Sequence, residues 1–264
     1  IRDILYRNIG PRIHRVTPPS IVDIWVQNSI ILSGFLGRAF FSEQHLPSDA
    51  DTTERYGSRI LGYLSVMDYK FEKVVHPIFK VIFDKNFKER YPEDTLRRGH
   101  YYYVLLTSIA RQLHRYKSSR ERLRELFPIY DEANAAASGV QHAKHLVLKG
   151  VIDQRDLEAI MVILICRIFS EWVISKGTNI REHFLKGDAL TFNFLVGEGA
   201  LQEKEGISWP NFAKMFFSIE NLSTIFTRFL EEGTYLEAQE FLSKYLTFDI
   251  FKAFEKRLST VKSI

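Results

Sequence analysis

The stretch "LEAIMVILICRIFSEWV", residues 157–173, constrains this chain more than any other. Its pattern is helical and it is apolar nearly all round. Such a helix cannot lie on a surface, because it has no face to offer water. It has to be the centre of a domain, with other helices packed around it. Asp153 supplies its N-terminal cap and "KGTN" its end. The longest wholly apolar run, Ala159 to Cys166, is far short of the roughly 20 residues that cross a bilayer. The centre is therefore a protein core, and no membrane span is expected.

The rest of the chain supplies the surrounding layers. "PPSIVDIWVQNSIILSGFLGRAFFS" is β-branched and aromatic with Ser and Gly punctuation, which predicts two or three short strands before the polar turn "LPSDAD". Beyond it the chain reads as helical. A helix capped by Asp51 or Thr52 would carry Ile60, Leu61, Leu64, Met67, Phe71 and Val75 on one face. Pro77 interrupts it. "YPEDTLRRGH" starts another, with Leu105, Ile109 and Leu113 at helical spacing, broken at Lys117-Ser118-Ser119. A long helix is expected from Arg120 to Lys149, stopped by Gly150. "LKGDALTFNFLVGEGAL" gives one more, "EKEGISWPNF" a turn or hairpin, and Pro210–Leu230 with Thr234–Leu246 a closing pair. The fold class is mainly α, with a strand-containing segment over 1–50 packed on a helical domain over 51–264.

Composition narrows the function. With 45% hydrophobic and 26% charged residues, the 264-residue chain has the profile of an ordinary globular protein. A net charge of +4, spread along the chain without a basic run, argues against nucleic-acid binding. One cysteine, Cys166, excludes a disulfide within the chain and suits an intracellular reducing compartment, cytoplasm or organelle. The first residue is Ile1 rather than Met, which fits a processed or trimmed product.

No phosphate loop, Cys-x-x-Cys pair or Gly-x-Ser-x-Gly elbow is present. His142 and His145 are three apart on the long helix, close to metal-ligand spacing, but nothing acidic adjoins them. They read as surface histidines. Asp131 and Glu132 are adjacent carboxylates that point about 100° apart on a helix, so they are not a catalytic pair. One helix is odd. "YYYVLLTSIARQLHRYK" places Thr107, Ser108 and Arg111 at the edge of its buried stripe. The residues alone assign it no chemistry.

The order of local patterns adds a resemblance. "LPSDADTTERYGSRI" resembles a Leu-Pro-Asn-Asp stretch followed by Gly-Thr or Gly-Ser. "DYKFEKVVHPIFKVIF" is similar to Ala-Lys-Phe-x-x-x-x-x-Pro-Ile. "RERLRELFPIYDEANAAASGVQHAKHLVLKGVI" resembles a helix bearing Glu-Glu-x-Lys-Ala-Asp. "KGDALTFNFLVGEGAL" is similar to Lys-Gly-x-Ala-x-x-x-Asn-x-Leu, and "FLEEGTYLEAQEFLSKY" to Gly-Asp-x-x-x-Ala-x-x-x-Leu-x-Lys-Tyr. These segments, in this order, resemble the dipeptidyl peptidase III family of zinc peptidases (peptidase family M49). They look most like the domain of that type that follows a Nudix domain.

The resemblance implies a helical bundle like the zinc-binding lobe of those peptidases. In that branch His-Glu-x-x-His supplies two zinc ligands and the general base, and the second Glu of Glu-Glu-x-Lys-Ala-Asp the third ligand. On this pattern Thr107 and Arg111 stand at the histidines, Ser108 at the base, Glu132 at the third ligand with Asp131 beside it, and Ala136 at the supporting aspartate. His183 lies near the place of a transition-state histidine, one residue further from Lys186-Gly187 than the family spacing. Arginine cannot ligate zinc, and serine is no substitute for a carboxylate base. The resemblance therefore implies a peptidase fold with its zinc motif lost and no metal or cofactor. It would serve as a binding or scaffolding subunit of a larger protein assembly. Two alternatives stay open. One is a zinc-independent enzyme using Glu132, Asp131, Arg111, His114, His183 and Thr107. The other is a peptide-binding module with a sheet edge in Ile21–Phe41. Without a metal, Glu132 would need another counter-charge, and an ion pair of Arg111 with Glu132 or Asp131 is expected to supply it.

Overall fold

The structure, a computed structural model, describes residues 22–28, 42–46, 52, 56–113, 118–175, 182–204, 206–207 and 210–261. It is mainly helical, with a small sheet near the N-terminus. Strands β1 (Val22–Gln27), β2 (Glu43–Leu46) and β3 (Ser58–Tyr63) make a sheet of order β1-β3-β2. β1 runs parallel to β3 with Val22 opposite Ser58, and β2 antiparallel with Glu43 opposite Gly62. Residues 29–41, where further strands were expected, lie outside the described residues.

The sheet corrects one expectation. The helix anticipated from Asp51 or Thr52 does not run through Ile60 and Leu61, which belong to the central strand β3. A short apolar run fits either period. Ladder partners on both sides satisfy the backbone of β3, and tertiary pairing decides the contest. The helix starts at Leu64 instead. It comprises α1 (Leu64–Lys70), a π turn (Phe71–Val75) and α2 (His76–Ile82), and buries Met67, Phe71 and Val75 as expected. The π turn lies just before Pro77, which has no N–H to donate and whose ring crowds the preceding turn. The wider turn keeps the helix running through it.

Then follow α3 (Lys85–Glu89), α4 (Glu93–Leu113), α5 (Ser119–Leu123), a 3-10 turn (Arg124–Leu126), α6 (Phe127–Leu148), α7 (Gln154–Ser175) and α8 (Glu182–Gly197). The hairpin β4 (Glu203–Lys204) and β5 (Gly206–Ile207) precedes α9 (Phe212–Glu231), α10 (Tyr235–Tyr245) and α11 (Asp249–Leu258). The helix expected over 120–149 is broken at its start: Arg124 has φ +53 and Pro128 opens a new helix. Gly150 ends it at φ +66, as expected. α11 lies beyond the last helix read from the sequence.

α7 is the centre. Asp153 Oδ1 accepts the Asp156 N–H at 2.8 Å, and every residue from Ala159 to Cys166 is at most 1% exposed. Each of its large side chains contributes roughly 1.5–3 kcal/mol by leaving water. α4, α6 and α8 pack against α7 and also meet around one corner of the bundle. At that corner α4 and α6 approach very closely. A Cβ on Gly139 of α6 would stand 2.8 Å from the Thr107 backbone nitrogen. Only glycine permits that contact, and it brings the faces carrying Thr107, Arg111 and Glu132 to a common space.

Candidate functional site

Tyr103, Val104, Thr107 and Arg111 recur at helical spacing on α4 and face a cleft of about 710 Å³. Glu132, Ala133 and Ala136 of α6 form the facing wall, Arg167 and Glu171 of α7 the floor, and Gly187 and Asp188 of α8 one side. Strand β2 with Ser42 closes another side. The sheet thus contributes directly to the cleft.

Arg111 dominates the charge pattern. Its Nη2 donates to Glu132 Oε2 in a hydrogen-bonded ion pair between α4 and α6, as expected. Its Nη1 lies 3.8 Å from Glu43 Oε1 of β2. Burial works against its charge, but Glu132, Glu43 and then Asp131 outweigh burial and hold its pKa above the ordinary value. The side chains of Arg111, Glu132 and Glu43 retain 26%, 21% and 21% exposure, so water still reaches the group. Below them Arg167 Nη2 donates to Glu171 Oε1 at 3.1 Å, one helical turn on. Burial likewise opposes the Arg167 charge, and Glu171 is foremost among the groups that raise its pKa. Tyr103, 8% exposed, has its phenol pushed well above the ordinary value by burial, reinforced by Asp188.

The other residues singled out in the sequence distribute unevenly. Ser108 is 0% exposed, does not line the cleft, and its hydroxyl has no hydrogen-bond partner among the described residues. Asp131 acts on Arg111 by its charge and is not part of the cleft lining. His183, in the first turn of α8, packs its ring 4.3 Å from that of Phe184; Phe184 lines the cleft and His183 does not. His114 lies outside the described residues. His142, read as a surface residue, is only 3% exposed, because α6 is packed between other helices. His145 is half-buried.

Sequence reasoning missed Glu43, Tyr103, Arg167, Glu171 and Asp188. Arg167 and Glu171 carried a signal, since they are two opposite charges at i, i+4 in an otherwise apolar helix. Glu43 carried none, because its role depends on the sheet.

As a metal site the donor set is poor. At the three positions of the family pattern, Thr107 offers a neutral hydroxyl, Arg111 a cation, and Glu132 a carboxylate already engaged by Arg111. Among the described residues no group of three or more His, Cys, Asp and Glu could hold a metal ion. No described helix is long and apolar enough to cross a membrane.

No family profile matches the chain. It is 24% identical over 241 residues to Nudix hydrolase 3 of Arabidopsis thaliana, covering 89% of this chain and 31% of that protein. Among solved structures it resembles dipeptidyl peptidase III from Caldithrix abyssi, with a TM-score of 0.83 at 20% identity, over 98% of this chain and 51% of that one. Dipeptidyl-peptidase III from Corallococcus sp. strain EGB superposes with a TM-score of 0.82 at 21% identity, over all of this chain and 50% of that one. The fold is therefore that of about half of a dipeptidyl peptidase III. The chain spans less than a third of the plant protein and half of each peptidase.

Proposed function

We propose that this chain is a peptidase-fold protein that has given up zinc chemistry and serves as a binding or scaffolding subunit of a larger protein assembly. The observation that carries this reading is Arg111. At a position the family pattern gives to a zinc ligand stands a cation, and the remaining family carboxylate, Glu132, neutralises it. Such an arrangement has no vacancy for a divalent ion and no base poised over a metal-bound water. The charged pairs Arg111–Glu132 and Arg167–Glu171 compensate each other within the cleft, which also disfavours it as a prepared site for a charged substrate.

Elemental analysis of protein purified without chelators, together with a dipeptide-release assay with and without added zinc, tests the loss of chemistry. The expected result is sub-stoichiometric zinc and no turnover. Stoichiometric zinc lost in Glu132→Ala, or turnover abolished by it, would sink the proposal. For the scaffolding role, cross-linking and mass measurement of the native protein should find it in a defined heteromeric complex. A second reading draws support from the cleft itself, which keeps about 710 Å³ with Tyr103 and Asp188 in its lining. Zinc-independent chemistry there would show as saturable small-molecule binding lost on Asp188→Asn. A third, the peptide-binding module with its sheet edge in Ile21–Phe41, draws on β1, which lies in that segment and among the described residues pairs only with β3.

A further inference from the structure

The cleft is lined by elements far apart in sequence, and one side chain, Arg111 of α4, meets charges on two of the others. We infer that the Arg111 guanidinium is a fixed internal cation that ties strand β2 to helices α4 and α6, doing at this place the cross-linking that a bound metal would do. The inference rests on the reading above that no metal is held here, and it adds a structural role for what replaced the metal.

Geometry carries it. Arg111 is on α4, Glu132 on α6 and Glu43 on β2. One Nη donates to Glu132 and the other faces Glu43 at 3.8 Å. A guanidinium is a planar fork with a permanent charge, so it can serve two carboxylates at once. An ammonium on a flexible stem is a single point charge and cannot span both in the same way. The neighbouring Gln112 reinforces the tie, since its amide meets the His45 ring on the same strand. Without the arginine, Glu132 and Glu43 would lose the cation that stands between them. Like charges at such separations repel. β2 would keep its ladder to β3, the Gln112–His45 contact, and Tyr63 Oη donating to Gln44 at 2.5 Å.

The experiment is hydrogen exchange read by mass spectrometry on the full chain. In Arg111→Met the amides of residues 42–46 should exchange about tenfold faster or more, while those of α7 stay protected. The milder Arg111→Lys should fall between Arg111→Met and the parent. Arg167→Met, whose hydrogen-bonded pair lies within α7 and which acts on Glu43 by charge alone, should loosen β2 far less than Arg111→Met. A β2 that exchanges at the parent rate in Arg111→Met, or that loosens equally in Arg167→Met, would overturn the inference. A second arm replaces one cation by another. Thr107→His with Arg111→His should create a site with Glu132 whose thermal midpoint rises with zinc and falls back on chelation, while the parent ignores both. A folded variant that takes up no zinc would overturn the claim that the guanidinium stands in a metal's place. Zinc or turnover in the parent protein would instead strike the functional reading, whatever the exchange rates show.

Discussion

The two ends of α4 deal with buried nitrogen bases in opposite ways. Near its start His100 is 0% exposed, and the Met67 backbone favours its charged form too weakly to offset burial. Its ring lies 5.8 Å from that of Phe71. Burial first, then the nearby charges of Arg167 and Lys70, bring its pKa down from 6.5 to about 3. It is tolerated because it can be neutral. Eleven residues on, Arg111 cannot be neutral, and it is tolerated because Glu132 and Glu43 accompany it and the cleft admits water. Burial is thus solved at one end by discharge and at the other by pairing. The paired end opens on the cleft.

Several perturbations would break or sharpen this contrast. The largest effect should come from the glycines that set each end's packing. A Cβ on Gly139 would meet the Thr107 nitrogen at 2.8 Å, and one on Gly99 the Ala159 Cβ at 2.9 Å. Gly139→Val and Gly99→Val should each lose about 3 kcal/mol in denaturant unfolding, because the obstructing atoms belong to packed helices. A loss below about 1 kcal/mol would mean the crossings are loose.

The next effect separates the ends by pH. Below pH 6.5 the unfolded chain binds a proton at residue 100 that the folded chain refuses. Stability is therefore full above 6.5 and falls on acidification toward about 3. The slope approaches about 1.4 kcal/mol per pH unit, or roughly 2 kcal/mol between pH 6.5 and 5. The difference between the parent and His100→Phe isolates this contribution, and a constant difference across that window would refute it.

At the other end, Arg111→Met should cost about 1.5 kcal/mol. A fully buried pair loses about 3–5, but these side chains keep 21–26% exposure. Combining it with Glu132→Gln should recover most of the loss, and additive effects would dismiss the pairing. The smallest effect should be Glu43→Gln, about 0.5 kcal/mol and weaker still at high salt, since its contact is 3.8 Å and partly solvated.

Much of the fold was legible in local pattern. The all-round apolar stretch announced α7, Asp153 and Gly150 marked helix ends, and Pro210–Leu230 with Thr234–Leu246 foretold α9 and α10. Ile60 and Leu61 misled because a short apolar run satisfies both periods until strand partners are present. The Arg111–Glu132 pair was anticipated from the family pattern. Arg167, Glu171 and Asp188 were not, since their meeting depends on α7 and α8 turning their faces to one space.

By itself, then, the sequence determined which segment had to be the centre and which residues could not ligate a metal. Those are properties of side-chain chemistry and periodicity, and they need no coordinates. Only the tertiary structure decided that Glu43 faces Arg111, that Ser108 is sealed away from the cleft while Thr107 lines it, and that His100 must stay neutral. Each of those depends on how closely two elements distant in sequence approach, and on what dielectric and charges they bring. No local pattern carries that information, because Coulomb energies and burial are sums over neighbours that only the fold assembles.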